Sequence, residues 1–396
     1  MNTPTIDVER ARRDTPGCAH VLHFNNAGAA LMPRPVLDAV TAHLELEARI
    51  GGYEAAERAA ETIEGAYDAA ARLLGCGRDE IAFVENATRA WDMAFYSIGF
   101  KPGDRILTAV AEYASNYIAY LQTTHRTGAV VEVVPNDEHG QISVDALRKA
   151  IDDRVKLIAV THVPTNGGLV NPAAAVGRVA REAGIPYLLD ACQSVGHMPL
   201  SVDKLGCDML SGTGRKYLRG PRGTGFLYVR RSILERLEPP LLDLHAATWT
   251  ARDRYEIRPD ARRFETWETY YAGKIGLRRA IEYALDLGLE PIRARVYALA
   301  DQLRDRLRGL PGVSVHDLGV ERCGIVTFTA GGADPAAVKA RLAAERINVT
   351  VSSPAGARID MEARGLTGLV RASVHYYNTE DEVDRFCRTL ARIAAA

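Results

Sequence analysis

The stretch from Tyr187 to Arg230 decides the fold; it begins YLLDACQSVGH and ends CDMLSGTGRKYLRGPRGTGFLYVR. Its opening apolar run ends in a carboxylate, Asp190, which is typical of a buried parallel strand that delivers an acid to the ligand-binding edge of an open sheet. A second predicted strand, Cys207–Leu210, leads into a glycine-rich turn that carries Lys216, and a third, Phe226–Val229, leaves that turn. The pattern predicts an α/β fold with an acid and an amine close together.

An acid at one strand end and an amine on the neighbouring turn suit pyridoxal 5'-phosphate (PLP). The amine of Lys216 would bind the cofactor aldehyde covalently, and Asp190 would keep the pyridine nitrogen protonated. Only seven of the 49 basic residues are lysine, and arginine cannot replace an amine because its guanidinium stays protonated. From count and position alone, codon bias with a surface charge explains this lysine equally well.

Seven segments, in family order over most of the chain, resemble the class V aminotransferase family of fold-type I PLP enzymes. They are HFNNAGAA from His23, ENAT from Glu85, THVPTNGGLVNP from Thr161, DACQSVGHMP from Asp190, RKYLRGPRGTG from Arg215, RFETWE from Arg263 and VRASVHYYNT from Val370. This family contains cysteine desulfurases, selenocysteine lyases and isopenicillin N epimerase-like enzymes. The resemblance implies a mostly parallel seven-stranded sheet in a large PLP-binding domain, residues 21–270, an N-terminal arm, 1–20, and a smaller C-terminal α/β domain, 271–396.

The phosphate end of the cofactor is predicted at the start of a helix. The loop before that helix would present free N–H groups and a positive dipole end. By resemblance, Ala87 through its backbone and Thr88 hold the phosphate, and a simple N-cap threonine is the alternative for Thr88. Ser211 and Thr213 are further candidate phosphate ligands, and Arg215 is a candidate for the positive charge that a histidine supplies in desulfurases.

The ring and its phenolic oxygen have their own candidates. Tyr113 stands beside the position of the stacking histidine of desulfurases, though an aromatic residue at a strand end is as often part of the core. The resemblance implies that Thr165 or Asn166 contacts the phenolic oxygen and the substrate carboxylate, without deciding between them. Gln193 matches a residue that hydrogen-bonds the phenolic oxygen.

The substrate carboxylate is assigned to Arg371 by the resemblance. An arginine in the middle of an apolar strand needs a partner, so a structural ion pair is the alternative. Asn26 and Gly28 belong to a run of small residues that lets the backbone approach a ligand, and we expect them near the substrate; a plain turn has the same composition.

Composition limits the partners. The chain has 396 residues, 43.1 kDa and a formal net charge of −1, so no general attraction draws it to nucleic acid or anionic membranes. There is no long apolar run and no basic-then-apolar leader, so we expect a cytoplasmic protein. Six scattered cysteines without a C-x-x-C pair predict free thiols and no metal site. The family implies a small amino-acid substrate and a homodimer with active sites at the subunit boundary.

One absence bears on the reaction. Desulfurases carry a reactive thiol on the loop before the arginine-bearing strand, but Ser352–Gly356 has no cysteine and neither has 324–386. Because a serine hydroxyl cannot replace a thiolate, we expect no persulfide chemistry. We predict instead a C–S β-lyase acting on an S-substituted cysteine, similar to the C–S lyases of ergothioneine and lincosamide biosynthesis.

Other reactions stay open. The alternatives are decarboxylation-coupled oxidative deamination, epimerisation, transamination, and a non-catalytic scaffold with the PLP fold. The arginine- and alanine-rich text is typical of a high-GC genome and suggests secondary metabolism, including antibiotic biosynthesis.

Overall fold

A seven-stranded sheet forms the centre of the computed structural model, which describes residues 5–394. The strands of the described chain are β1 (Leu22–His23), β2 (Ile81–Val84), β3 (Arg105–Ala109), β4 (Val130–Val134), β5 (Val155–Thr161), β6 (Tyr187–Asp190), β7 (Met209–Thr213), β8 (Gly225–Val229), β9 (Ala247–Ala251), β10 (Arg254–Ile257), β11 (Val313–Val315), β12 (Ile325–Ala330), β13 (Ile347–Asn348), β14 (Thr350–Ser352) and β15 (Leu369–Ser373). Across the central sheet the order is β2-β8-β7-β6-β5-β3-β4, and only β8 runs antiparallel to its neighbours. The predicted α/β fold with a mostly parallel seven-stranded sheet is confirmed.

Helices cover the sheet and connect its parallel strands. They are α1 (Val8–Arg13), α2 (Asn26–Ala29), α3 (Arg34–Ile50), α4 (Gly52–Arg58), α5 (Ala60–Leu74), α6 (Ala87–Phe95), α7 (Ala114–Thr127), α8 (Val144–Ala150), α9 (Ala173–Ala183), α10 (Val202–Leu205), α11 (Tyr271–Leu287), α12 (Leu289–Arg308), α13 (Pro335–Ala344), α14 (Arg358–Ala363) and α15 (Glu380–Ala394). Helix α9, for example, follows Pro172 and ends at Gly184 in the left-handed conformation, so each end has its expected residue. None of the helices within residues 5–394 is both long and apolar enough to cross a membrane.

Two predicted strands differ from the observed ones because tertiary pairing overrides local preference. Strand β7 continues to Thr213, although its last residues are polar or glycine, because β6 and β8 pair with it on either side. The apolar run from Ile347 to Val351 predicts one strand, but the structure has two. Its first part, β13, pairs in parallel with β1, and β14 joins a separate four-stranded sheet.

The four-stranded sheet lies in the C-terminal part of the chain. Its order is β11-β12-β15-β14 and each neighbouring pair is antiparallel. The spacing Thr379-x-x-Glu382 predicts a capping box before the final helix. The structure has it, since Thr379 and Glu382 each accept a hydrogen bond from the other's backbone N–H at 3.2 Å.

The two sheets share one hydrophobic core. A single cluster of buried side chains contains Leu189 and Leu210 of the central sheet as well as Val326 and Val370 of the small one. The division at residue 270 stays a prediction. In the proposed arm, residues 1–4 lie outside the described chain, while α1 is tied to the body by Arg12, which donates to the Tyr377 carbonyl at 2.9 Å.

Candidate active site

A cavity of about 510 Å³ opens at the carboxyl ends of the central strands, where open α/β sheets bind their ligands. Strand register brings the chemistry together there, because Asp190 is paired with Thr161 on one side and Ser211 on the other. The lining residues are Glu85, Asn86, Ala87, Thr88, Tyr113, Thr161, Val163, Thr165, Asp190, Cys192, Gln193, Thr213, Arg215, Lys216, Arg222 and Gly223.

Lys216 lies on the turn after β7 and is held there by its neighbours. Its carbonyl accepts from the Arg219 backbone N–H at 2.9 Å, and the ring of the adjacent Tyr217 stacks on His197 at 3.7 Å. Burial lowers the pKa of the Lys216 amine, and the nearby Cys192 and Asp190 oppose this. A lowered pKa makes the amine a better nucleophile and base near neutral pH.

Asp190 is the buried acid at the end of β6. One carboxylate oxygen, Oδ1, accepts from the backbone N–H of Cys192 at 2.9 Å, and the other, Oδ2, accepts from the Asn116 side chain at 3.1 Å. These two hydrogen bonds fix the orientation of the carboxylate toward the cavity that it shares with Lys216.

The start of α6 forms the opposite end of the cavity. Asn86 is its N-cap and accepts from the Arg89 backbone N–H at 2.9 Å, so the predicted alternative of Thr88 as the cap is wrong. Strand β8 passes close beneath, since a Cβ on Gly225 would lie 2.6 Å from the Asn86 carbonyl carbon. Ala87 and Thr88 therefore occupy the first turn of a rigidly supported helix, which favours an anion.

Positive charge surrounds this end of the cavity. Arg215 and Arg222 both line it, and burial, together with repulsion from Arg222, lowers the pKa of Arg215. Arg222 was not predicted from the sequence, although it belongs to the same RKYLRGPR run as Lys216. Two arginines and a helix start fit a phosphate group.

The polar groups of the cavity also fit the ring of PLP. Gln193 donates to the Ala27 carbonyl at 3.0 Å and to Thr165 at 3.2 Å, but its Oε1 is buried without a partner. Leaving a buried acceptor unpaired is costly, so a ligand group is expected beside it. Tyr113, 39% exposed, lines the same cavity as the candidate stacking ring. When bound, PLP supplies an electron sink for charge developing at the substrate Cα.

Arg371 reaches the site from the small sheet. It lies in β15 between Thr350 and Thr327, is 7% exposed, and donates through Nη1 to Thr165 and through Nη2 to Asn25 at 3.4 Å. Within residues 5–394 its hydrogen-bond partners are uncharged, no carboxylate pairs with its guanidinium, and its Nε has no partner. Burial lowers its pKa to about 10. This is not the predicted alternative of a structural ion pair.

Five predicted site residues are not among those that line the cavity: Arg371, which contacts the lining residue Thr165, and Ser211, Asn166, Asn26 and Gly28. The hydroxyl of Ser211 is fully buried without a partner, and the Asn166 amide faces the Met361 sulfur at 3.9 Å. The side-chain amide of Asn26 donates to the carbonyls of His23 and Ser373, at 3.1 and 2.7 Å.

Gly28 acts through its backbone, since its carbonyl accepts from the Arg215 side chain. The run of small residues from Asn26 to Gly28 therefore supports the lysine turn from behind. Between the two alternatives left open for the phenolic oxygen, Thr165 reaches the cavity and Asn166 does not.

One cavity at the edge of a mostly parallel seven-stranded sheet contains an amine, a carboxylate and a helix start suited to an anion. This combination defines a fold-type I PLP enzyme. Sequence comparison gives the family: the model of the class-V aminotransferases matches residues 22–386, and the chain belongs to that family. It is therefore a PLP-dependent enzyme.

Individual relatives match this chain over nearly its whole length. A probable cysteine desulfurase of Methanothermobacter thermautotrophicus is 31% identical over 98% of both chains. The apo cysteine desulfurase of Thermococcus onnurineus superposes with a TM-score of 0.91 at 29% identity over 100% of both chains. A C-DES variant with glycine covalently linked to its PLP cofactor superposes with a TM-score of 0.87 over 98% of this chain and 99% of its own, at 23% identity, which shows the shared fold.

These relatives correct the predicted function. The sequence analysis predicted a C–S β-lyase on an S-substituted cysteine and excluded a persulfide-forming desulfurase. This prediction is wrong, because the relatives at 31% and 29% identity are named cysteine desulfurases. The error was to treat one loop position as decisive. A thiol missing from residues 352–356 removes one route for the sulfur, but none of the residues that line the cavity belongs to that loop.

Proposed function

We propose that this chain is a cysteine desulfurase-type enzyme that converts L-cysteine to L-alanine and passes the sulfur to a thiol. The observation that carries the proposal is that Lys216 and Asp190 line one cavity, while Arg371, which donates to the cavity residue Thr165, has no carboxylate partner among residues 5–394. The names of the relatives support cysteine as the substrate.

Each of the three side chains has a distinct task in the proposed reaction. Arg371 binds the α-carboxylate of cysteine through charge-assisted hydrogen bonds, which orients Cα in the cavity. The amine of Lys216 takes the proton from Cα and returns one when alanine forms. Asp190 holds the proton on the ring nitrogen of the cofactor.

The destination of the sulfur is the point at which this chain differs from the desulfurase pattern. Cys192 is the cysteine that lines the cavity, but burial raises the pKa of its thiol well above the usual range, so little thiolate is present. We therefore propose that an external thiol enters the open cavity and receives the sulfur. Cysteine and the thiol RSH become alanine and the persulfide RSSH, which balances the reaction.

The test is a product assay with purified protein, PLP, L-cysteine and excess dithiothreitol. Alanine and sulfide should form in equal amounts, because dithiothreitol releases the bound sulfur. Pyruvate and ammonia in place of alanine would refute the proposal, since they arise by elimination. The Cys192→Ala variant should retain activity if the thiol is external, and loss of alanine formation in that variant would assign the acceptor to Cys192.

We also propose that a second copy of the chain packs beside the cavity mouth and leaves it open. Exposed aromatic residues, among them Tyr53, Trp267 and Tyr270, line a surface groove that shares Glu85 with the active-site cavity. Exposed apolar surface of this kind is typical of subunit interfaces. Sedimentation equilibrium should give a mass near twice 43.1 kDa for the protein and a lower mass for Trp267→Glu.

Cytoplasmic location stays a proposal. The free cysteines support it, because all six are unpaired in the structure and a reducing compartment keeps thiols in that state. A role in secondary metabolism or antibiotic biosynthesis rests on the composition alone.

A further inference from the structure

A second buried carboxylate, Glu112, lies behind Asp190. It follows β3, is 4% exposed, and takes no direct part in lining the cavity. Its two oxygens accept from the Tyr113 backbone N–H at 2.7 Å, Thr108 Oγ1 at 2.8 Å, Asn116 Nδ2 at 3.0 Å, Tyr120 OH at 3.4 Å and Thr161 Oγ1. So many donors around one side chain form a site built for a carboxylate.

The Asn116 amide connects this carboxylate to the active site. Its Nδ2 donates to Glu112 Oε1 at 3.0 Å and to Asp190 Oδ2 at 3.1 Å. An amide nitrogen carries two hydrogens, so both are used, and the amide cannot turn without losing one bond. Glu112 therefore determines the position of Asn116, and Asn116 determines the position of one Asp190 oxygen.

The electrostatics of the pair favour a positive charge beside Asp190. Burial raises the pKa of Glu112 to about 7, the hydroxyls of Thr161 and Thr108 oppose this, and the charge of Asp190 raises it further. The other titratable groups near Glu112 are Tyr120 and Tyr187, and burial raises the pKa of both phenols, so they stay neutral. Two carboxylates with only neutral groups between them are stabilised when a cation binds to either one.

We propose that Glu112 is a positioning residue that acts through Asn116 to hold the Asp190 carboxylate in place for the protonated ring nitrogen of PLP. The inference deepens the proposed function, because it names the group that supports Asp190. It depends on cofactor binding and is independent of what happens to the sulfur, so a failed alanine assay would leave it intact.

The test compares two ligands in full-length apoprotein: PLP and its 1-deaza analogue, in which carbon replaces the ring nitrogen. Glu112→Gln keeps the size of the side chain but loses the charge, and we expect its Kd for PLP to rise about tenfold, as for one lost hydrogen bond to a charged group. The Kd for the analogue should change less than twofold, because the analogue makes no hydrogen bond to Asp190. Fluorescence titration gives both values without any turnover.

Two further variants complete the design. Asn116→Ala breaks the bridge and leaves Glu112 in place, so it should show the same selective loss and keeps the test valid if Glu112→Gln fails to fold. Asp208→Asn is the matched control: Asp208 is a partly buried carboxylate that accepts from the Tyr187 backbone N–H at the other end of β6, and its loss should leave both Kd values unchanged. Equal weakening of both ligands in the test variants, or no weakening of either, would overturn the proposal.

Discussion

Replacing Arg371 by glutamine should separate a substrate anchor from a structural arginine. The guanidinium is buried, and the groups that accept from it, on Thr165 and Asn25, are uncharged. In the free protein it therefore bears a desolvation cost without a compensating charge, as its lowered pKa of about 10 indicates. The substrate α-carboxylate would supply the missing anion.

The magnitude follows from the bonds that glutamine cannot make. A carboxylate held by two charge-assisted hydrogen bonds gains about 3 kcal/mol in total relative to a neutral donor, so kcat/KM should fall on the order of 100-fold, with most of the change in KM. Stability should move the other way, because the variant no longer buries an uncompensated charge. We expect its free energy of unfolding to equal or exceed that of the parent.

Arg263 provides the matched control. It is also 7% exposed, its pKa is also lowered by burial, and its Nε also has no partner, but it donates to the carbonyls of Leu234 and Leu237, away from the cavity. The nearby carboxylates of Asp260 and Glu235 partly compensate the charge of Arg263, unlike that of Arg371, so Arg263→Gln should lose about 1 to 2 kcal/mol of stability with its carbonyl hydrogen bonds and keep kcat/KM within about twofold. Urea denaturation and initial-rate assays on both variants give the four numbers. A destabilised Arg371→Gln with an unchanged KM would refute the assignment of Arg371 to the substrate.

Three other predictions concern the cofactor lysine, a buried ion pair and acid stability. Borohydride treatment of the holoenzyme should label Lys216 and spare Lys274, a lysine that is only 7% exposed, as peptide mass spectrometry can check; label on Lys274 would contradict the assignment. Arg304→Met should cost about 3 to 5 kcal/mol of unfolding free energy, because it leaves the fully buried Asp317 without its partner at 2.7 Å. In the same urea titration, Arg308→Met on the exposed side of the same helix should cost less than about 1 kcal/mol. Burial lowers the pKa of His197 to about 3 from 6.5 in the unfolded chain, so the unfolded state binds the extra proton and His197 contributes a loss of stability of about 1.4 kcal/mol per pH unit as the pH falls from 6.5 to about 3. Burial also lowers the pKa of His162 and His375, so His197→Gln should reduce the slope of stability against pH without abolishing it, and an unchanged slope would exclude a contribution from His197.

The amino-acid sequence by itself determined those parts of the site whose residues lie close together along the chain. A short apolar run ending in an acid and a glycine-rich turn with one lysine place Asp190 and Lys216 at the same sheet edge, since parallel strands all deliver their carboxyl ends there. The N-terminal position of Ala87 and Thr88 on a helix follows in the same way from a strand, a short loop and a helical pattern. Hydrophobic periodicity and turn-forming residues are local properties, so they can be recognised in a single amino-acid sequence.

Only the tertiary structure decided which distant side chains meet. Asn26 looks like a substrate ligand in the sequence, yet folding places its amide against the Ser373 carbonyl, 347 residues away, and so removes it from the cavity. Glu112 looks like an ordinary loop acid, yet Asn116 links it to Asp190, 74 residues beyond that amide. Such contacts form because the packing of the sheets and helices determines which distant polar groups come within hydrogen-bonding distance. The hydrophobic periodicity of the sequence contains no information about these pairings.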